Sequence, residues 1–166
     1  MKKNAINLFA LLFSITILTS SCSAESVEDN VTATTEIQKS YSHSTEELEV
    51  LDLINTYRVE QGLTPLSIIE HISYKSNEHN VYMVEVDQVN HDGFEERKNN
   101  LVQVLGAYRV GENVAYGYST PESVVDAWIA SSAHKENILG NFSHFGISIT
   151  KDTNGRRYYT NMFIKK

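Results

Sequence analysis

The chain has 166 residues, room for one domain with tails, and 41% of them are hydrophobic, enough for an ordinary globular core. Its formal net charge is −7. That sign excludes a general nucleic-acid binder, which needs a basic face for phosphates, and disfavours electrostatic docking on anionic lipid; its plain meaning is solubility.

The N-terminus reads as an export signal. Lys2 and Lys3 precede an almost continuously apolar run, Ile6 to Leu18, broken only by Asn7, Ser14 and Thr16. About 13 residues suit a signal-peptide core and fall short of the ~20 that span a bilayer. Thr19-Ser20-Ser21 leads into Cys22, the one cysteine of the chain. Small residues before a single Cys resemble the bacterial lipobox, whose cysteine is acylated and becomes the mature N-terminus. Here Leu18 stands four places before the Cys, where the pattern has Leu three before. The alternative is an unmodified Cys after an ordinary signal. Acylation would leave no thiol for a disulfide or for thiol chemistry, and would attach the chain to a membrane through Cys22. The expected organisation is a lipoprotein-type signal over 1–21, a Ser-, Thr- and acid-rich flexible tether over 22–43, and one domain over 44–166.

Ser44 and Glu47 have capping-box spacing, and Leu48, Leu51, Ile54 and Tyr57 follow at helical intervals. A first helix is predicted from Thr45 to Gln61, stopped by Gly62. Leu63-Thr64-Pro65-Leu66 is an extended link. Ser67 is expected to cap a second helix ending near Asp87, with Ile69, Ile72, Ser76, His79 and Met83 on one face. Asn90-His91-Asp92-Gly93 is a turn. Phe94 to Leu105 is predicted as a third helix, stopped by Gly106, and Val110 to Ala115 as a short strand. Thr120-Pro121-Glu122 opens another helix with Val124, Val125 and Trp128 on its buried side. The end is a hairpin: Phe145, Ile147 and Ile149 alternate with small and polar residues, Asn154-Gly155 turns, and Arg157 to Ile164 returns. Helices first, then a strand, a helix and a hairpin make an α+β pattern, with helices covering a small sheet.

Several local features, in order, resemble the bacterial branch of the CAP (SCP/PR-1-like) superfamily. They are Asn55 to Arg58 followed by Gly62-Leu63-Thr64-Pro65-Leu66; His91 after the second helix; Gly111-Glu112-Asn113; Trp128 with Ser131, His134, Asn137-Ile138-Leu139; and Phe145-Gly146-Ile147 with Tyr158 to Asn161. The similarity runs from about Glu46 to Ile164. It implies a three-layer α-β-α sandwich with a small, mostly antiparallel sheet and a cleft. In better-equipped relatives that cleft holds two His and two Glu. His91, Glu112 and His134 fill three of those places, and Ser131 stands in the fourth.

Two neutral imidazoles in a cleft can bind zinc or a similar divalent metal, which makes His91 and His134 candidate ligands. Glu112 is a candidate third ligand or a general base on bound water, so His91, Glu112 and His134 are the candidate catalytic set. Asn113, Asn137 and Ser131 are expected to support the cleft. A Ser131 or Ser132, His134, Glu112 nucleophilic set has the right parts but no Gly-x-Ser-x-Gly elbow around it. His79 reads as a hydrogen-bonded core residue, His43 and His71 as surface residues, and His144 as the start of a strand. Tyr108, Tyr116, Tyr118, Tyr158 and Tyr159 are candidates for a glycan- or peptide-binding surface. Two functions follow. One is a lipid-anchored, extracytoplasmic module of the bacterial envelope, facing periplasm or exterior, that binds an extracellular ligand or protein; the other is a metal-assisted hydrolase of peptides or envelope polymers in the same cleft. A sterol or lipid ligand, as in some relatives, ranks third. A monomer without nucleic-acid partners is expected.

Overall fold

The computed structural model describes residues 36–166. The export signal, Cys22 and most of the expected tether lie outside the described residues. The elements are α1 (Thr45–Glu60), β1 (Ser67–Ile68), α2 (Glu70–Val86), α3 (Phe94–Leu105), β2 (Arg109–Tyr116), α4 (Pro121–Ala130), α5 (Ser132–Ile138), β3 (His144–Lys151) and β4 (Arg157–Lys165). Among the described residues no helix is long and apolar enough to cross a membrane.

Local chemistry sets most of these limits. Ser44 and Glu47 form the reciprocal capping box that starts α1, worth about 1 kcal/mol in such positions. Thr120 does the same for α4 with Ser123, and Pro121 takes the first turn, where a missing N–H costs nothing. Gly106, at φ +70°, closes α3 in the left-handed geometry that glycine adopts without strain.

The four strands lie in the order β1-β3-β4-β2, with β1 parallel to β3 and the other pairs antiparallel. On one face Phe145 and Ile147, Tyr159 and Phe163, and Ala115 join Leu51 and Ile54 of α1, Val124 and Trp128 of α4, and Ile138 of α5 in a single apolar core. On the other face α2 lies across the sheet with polar contacts. Ser76 Oγ donates to Gly146 O, Asn80 Nδ2 to Ser148 O, and Thr160 Oγ1 to Asn80 Oδ1. A Cβ on Gly146 would sit 2.5 Å from the Ser73 nitrogen, so helix and strand approach as closely as glycine allows. Farther along, Ile72, Leu101, Met162 and Ile164 form a smaller apolar cluster with α3. The expected α-β-α sandwich with a small, mostly antiparallel sheet is the architecture observed.

Side chains occupy part of each rim of the sheet. On β2, Asn137 Nδ2 donates to Glu112 O and the Trp128 indole to Val114 O. On β3, Ser73 Oγ accepts from Ile147 N–H and Glu47 Oε1 from Ile149 N–H.

Five details differ from the sequence reading. Ser67 does not cap α2; it pairs with His144 in β1, and Ile69 precedes the helix without a side-chain cap. Residues 39–43 lie against the domain, so its packed part begins ahead of Ser44. The Lys39 N–H donates to His71 Nδ1, and the Tyr41 hydroxyl bridges Glu47 and Ser148. His71 is therefore buried, with its other nitrogen on Asn100, and His43 is half-buried against Ser73. α5 is a separate short helix after Ser131. In the hairpin only Gly155 takes positive φ; Asp152 organises the loop by accepting from the Asn154 and Arg156 N–H groups.

Candidate functional site

The loop after α2 carries His91, and two buried side chains hold it. His79, on the inner face of α2, bonds Asn90 O through Nε2 at 2.9 Å. Arg97, on α3, donates to Asp92 O from Nη1 at 2.7 Å. Gly93 turns the chain at φ +69°, and a Cβ there would come within 3.2 Å of Arg97 Nη1, so glycine keeps the approach open.

Glu112 points from β2 toward the same loop, with a side chain only 1% exposed. Arg97 meets its carboxylate with two parallel bonds, Nε to Oε2 at 2.9 Å and Nη2 to Oε1 at 2.8 Å. His91 Nδ1 lies 2.8 Å from Oε1. A carboxylate accepts and cannot donate, so Nδ1 carries a proton toward Glu112 and Nε2 is not used in this bond. The His91 ring is about half exposed (52%). Glu112 therefore has both oxygens committed to a buried, bidentate, charge-assisted pair.

His134 arrives from α5, which packs over the opposite face of the sheet. It reaches the same region around the rim of β2. Its backbone carbonyl accepts from Asn113 Nδ2, and Asn137 Nδ2 bonds both Glu112 O and Asn113 Oδ1. Gly111 is required here, because a Cβ would lie 2.6 Å from Asn137 Oδ1. The Gly-Glu-Asn and His-x-x-Asn motifs are thus two halves of one clasp. Burial first, and then the nearby charge of His91, hold the His134 imidazole below its ordinary pKa. Its Nδ1 is buried and has no partner among the described residues. Beside it lies a cavity of about 280 Å³ lined by Tyr116, Tyr118, Trp128, Ser131 and His134.

The structure brings His91 and Glu112 into direct contact and sets His134 within electrostatic reach. Asn113 and Asn137 stand where cleft support was expected. Ser131 sits between α4 and α5 without a side-chain cap bond and lines the cavity. No hydrogen bond joins Ser131 or Ser132 to His134 among the described residues, so the nucleophilic set is not assembled. The five tyrosines do not share a surface: Tyr108 is exposed, Tyr116 and Tyr118 line the cavity, and Tyr158 and Tyr159 are buried.

The zinc reading meets a shortage of donors. Among the described residues no three His, Cys, Asp or Glu side chains form a metal-holding group. With Glu112 bound to Arg97 and His91, two imidazoles remain, fewer than the three protein ligands a catalytic zinc keeps. This donor set does not fit the ion. Sequence reasoning missed Arg97, which stands in a charged run, Glu95-Glu96-Arg97-Lys98. Its signal was position: Phe94, Arg97, Leu101 and Leu105 fall on the inner stripe of α3.

Comparison with known proteins adds a family. A family model described as CAP, the cysteine-rich secretory protein family, matches residues 51–163. The uncharacterised protein YkwD of Bacillus subtilis is 34% identical over 132 residues, covering 75% of this chain and 49% of its own length. The uncharacterised membrane protein YlbC of the same organism is 29% identical over 127 residues, 74% of this chain and 35% of its own. The chain thus spans half or less of these two relatives. Among solved structures, an outer surface protein of Borrelia burgdorferi superposes with a TM-score of 0.67 at 21% identity, over 75% of this chain and 96% of that one. An extracellular SCP-domain protein of Bacillus anthracis gives 0.65 at 24% identity, over 73% and 40%. At such identities the structures speak to the fold.

Proposed function

Because the chain belongs to the CAP, or cysteine-rich secretory protein, family, we propose that it is an extracytoplasmic binding module, tethered by lipid at Cys22, whose cleft receives a ligand beside His134. One observation carries this reading. The acid of the cleft, Glu112, is locked by Arg97 and His91, whereas His134, whose buried Nδ1 has no partner among the described residues, lines a cavity walled in part by Tyr116 and Tyr118. A locked carboxylate is a poor base, while an imidazole in a concave, partly aromatic wall is a ready partner for a ligand's polar group. Tyr116 and Tyr118, which are not buried in the core, suit the flat face of a glycan or peptide. The extracytoplasmic location rests on the export signal and on relatives described as outer-surface and extracellular.

The test is binding of the purified chain to cell-wall glycan and peptide panels, with turnover followed in parallel. The expected result is saturable binding without product, weakened about tenfold or more in His134→Ala, the scale of one lost buried hydrogen bond to a ligand. Product formation abolished in His91→Ala, with stoichiometric zinc and a zinc-raised melting temperature, would replace binding by metal-assisted hydrolysis.

A further inference from the structure

Outside the cleft, the end of α1 holds a cation without a counter-ion. Arg58 is 3% exposed. Its Nε donates to Thr64 O at 3.1 Å, and Nη1 donates to Ile138 O at 2.6 Å and Gly140 O at 3.1 Å. Among the described residues no carboxylate pairs with it, and burial alone lowers its pKa. Nη2 takes no part in these bonds. Arg58 lines a cavity of about 550 Å³ together with Phe142, Ser143, His144 and Lys165, and no Asp or Glu lines it.

The surroundings add charge of the same sign. Arg109 pairs across the sheet with Lys165, and its guanidinium lies 4.8 Å from the centre of the Phe142 ring. His144 is held below its ordinary pKa by burial first and then by the charges of Lys166 and Lys165. In a chain of net charge −7 this is a local reversal. A concave wall concentrates such a field, and a guanidinium with one nitrogen free is a ready donor for an oxyanion. His144 Nδ1 contacts Ser143 Oγ at 2.8 Å, which leaves Nε2 for a ligand.

We propose that this cavity binds a small oxyanion, the phosphate or carboxylate group of a ligand. The Arg58 guanidinium in its lining would offer Nη2, Lys165 a point charge and His144 a further hydrogen bond. The site is separate from the His134 cavity and does not depend on what the cleft binds.

The experiment is an NMR titration of the full chain with inorganic phosphate and, separately, acetate, against chloride at equal ionic strength. Phosphate strengthens burial in proteins generally, so the readout is the His144 ring rather than melting temperature. Arg58 itself stays unmutated, because it also ties three carbonyls of the fold. A saturable movement of the His144 resonances with a raised imidazole pKa is expected. Its affinity should weaken about threefold or more in Lys165→Ala and further in Lys165→Glu, as the loss and then reversal of a nearby charge requires. Response to acetate alone assigns a carboxylate ligand, and response to phosphate alone a phosphate. No movement beyond chloride, or movement unchanged in both Lys165 variants (an adventitious ion only), overturns the site.

Discussion

On one face of the sheet Trp128, Phe145, Phe163 and Ile54 pack carbon against carbon; on the other Ser76, Asn80, Thr160 and Glu112 meet their neighbours through hydrogen bonds and a buried ion pair. The first kind of contact is non-directional and grows with area. The second returns little net stability but punishes misplacement, because each buried polar group must find its partner. The lesson is a division of labour. The largest apolar cluster lies on the first face. The polar face fixes the geometry of the His91 loop, where the candidate site is.

Three measurements break or sharpen that contrast. The largest effect is expected from Trp128→Ala in urea unfolding, a loss of about 4 kcal/mol from the cavity and the missing indole bond to Val114 O. A loss below half of that would mean that α4 can collapse into the space. Next comes Arg97→Met, which strands the Glu112 carboxylate and should cost about 3 kcal/mol. Adding Glu112→Gln should return much of that loss, because no buried charge then lacks a partner. If the double variant is as unstable as the sum of the singles, the pair is not coupled and the polar face is not a network.

The smallest effect is a pH dependence. Burial is the leading cause that lowers the pKa of His71, His79, His134 and His144. The unfolded chain takes up protons near the ordinary value of about 6.5, while the folded chain resists them. Their contribution is complete above that pH and is lost as pH falls through the folded values. The midpoint in urea should therefore drop between about pH 6.5 and 5, above the range where carboxylates titrate. A flat midpoint across that window would show that the fold accepts these charged imidazoles at no cost.

Much of this was legible beforehand. The caps Ser44 and Thr120, the stops at Gly62 and Gly106 and the stripe on α2 are local signals, and their elements start or end within a residue or two of expectation. β1 was hidden because two residues have no period; pairing with His144 and Phe145 alone makes them a strand. α5, at seven residues, carries too little pattern to separate it from a loop. In the site, His91, Glu112 and His134 came from motif resemblance, and no spacing rule joins residues so far apart. The place of Arg97 on the inner stripe of α3 marks it as inward-facing, but that it neutralises an acid on another element is a tertiary fact.

The partly occupied rims of the sheet have a consequence for crowded conditions. An open strand is a template onto which another chain can zip, backbone to backbone. Here Asn137 and Trp128 already occupy carbonyls along one margin, and Ser73 and Glu47 occupy amides along the other. A neighbouring copy would have to displace these side chains before its own backbone could pair at those positions.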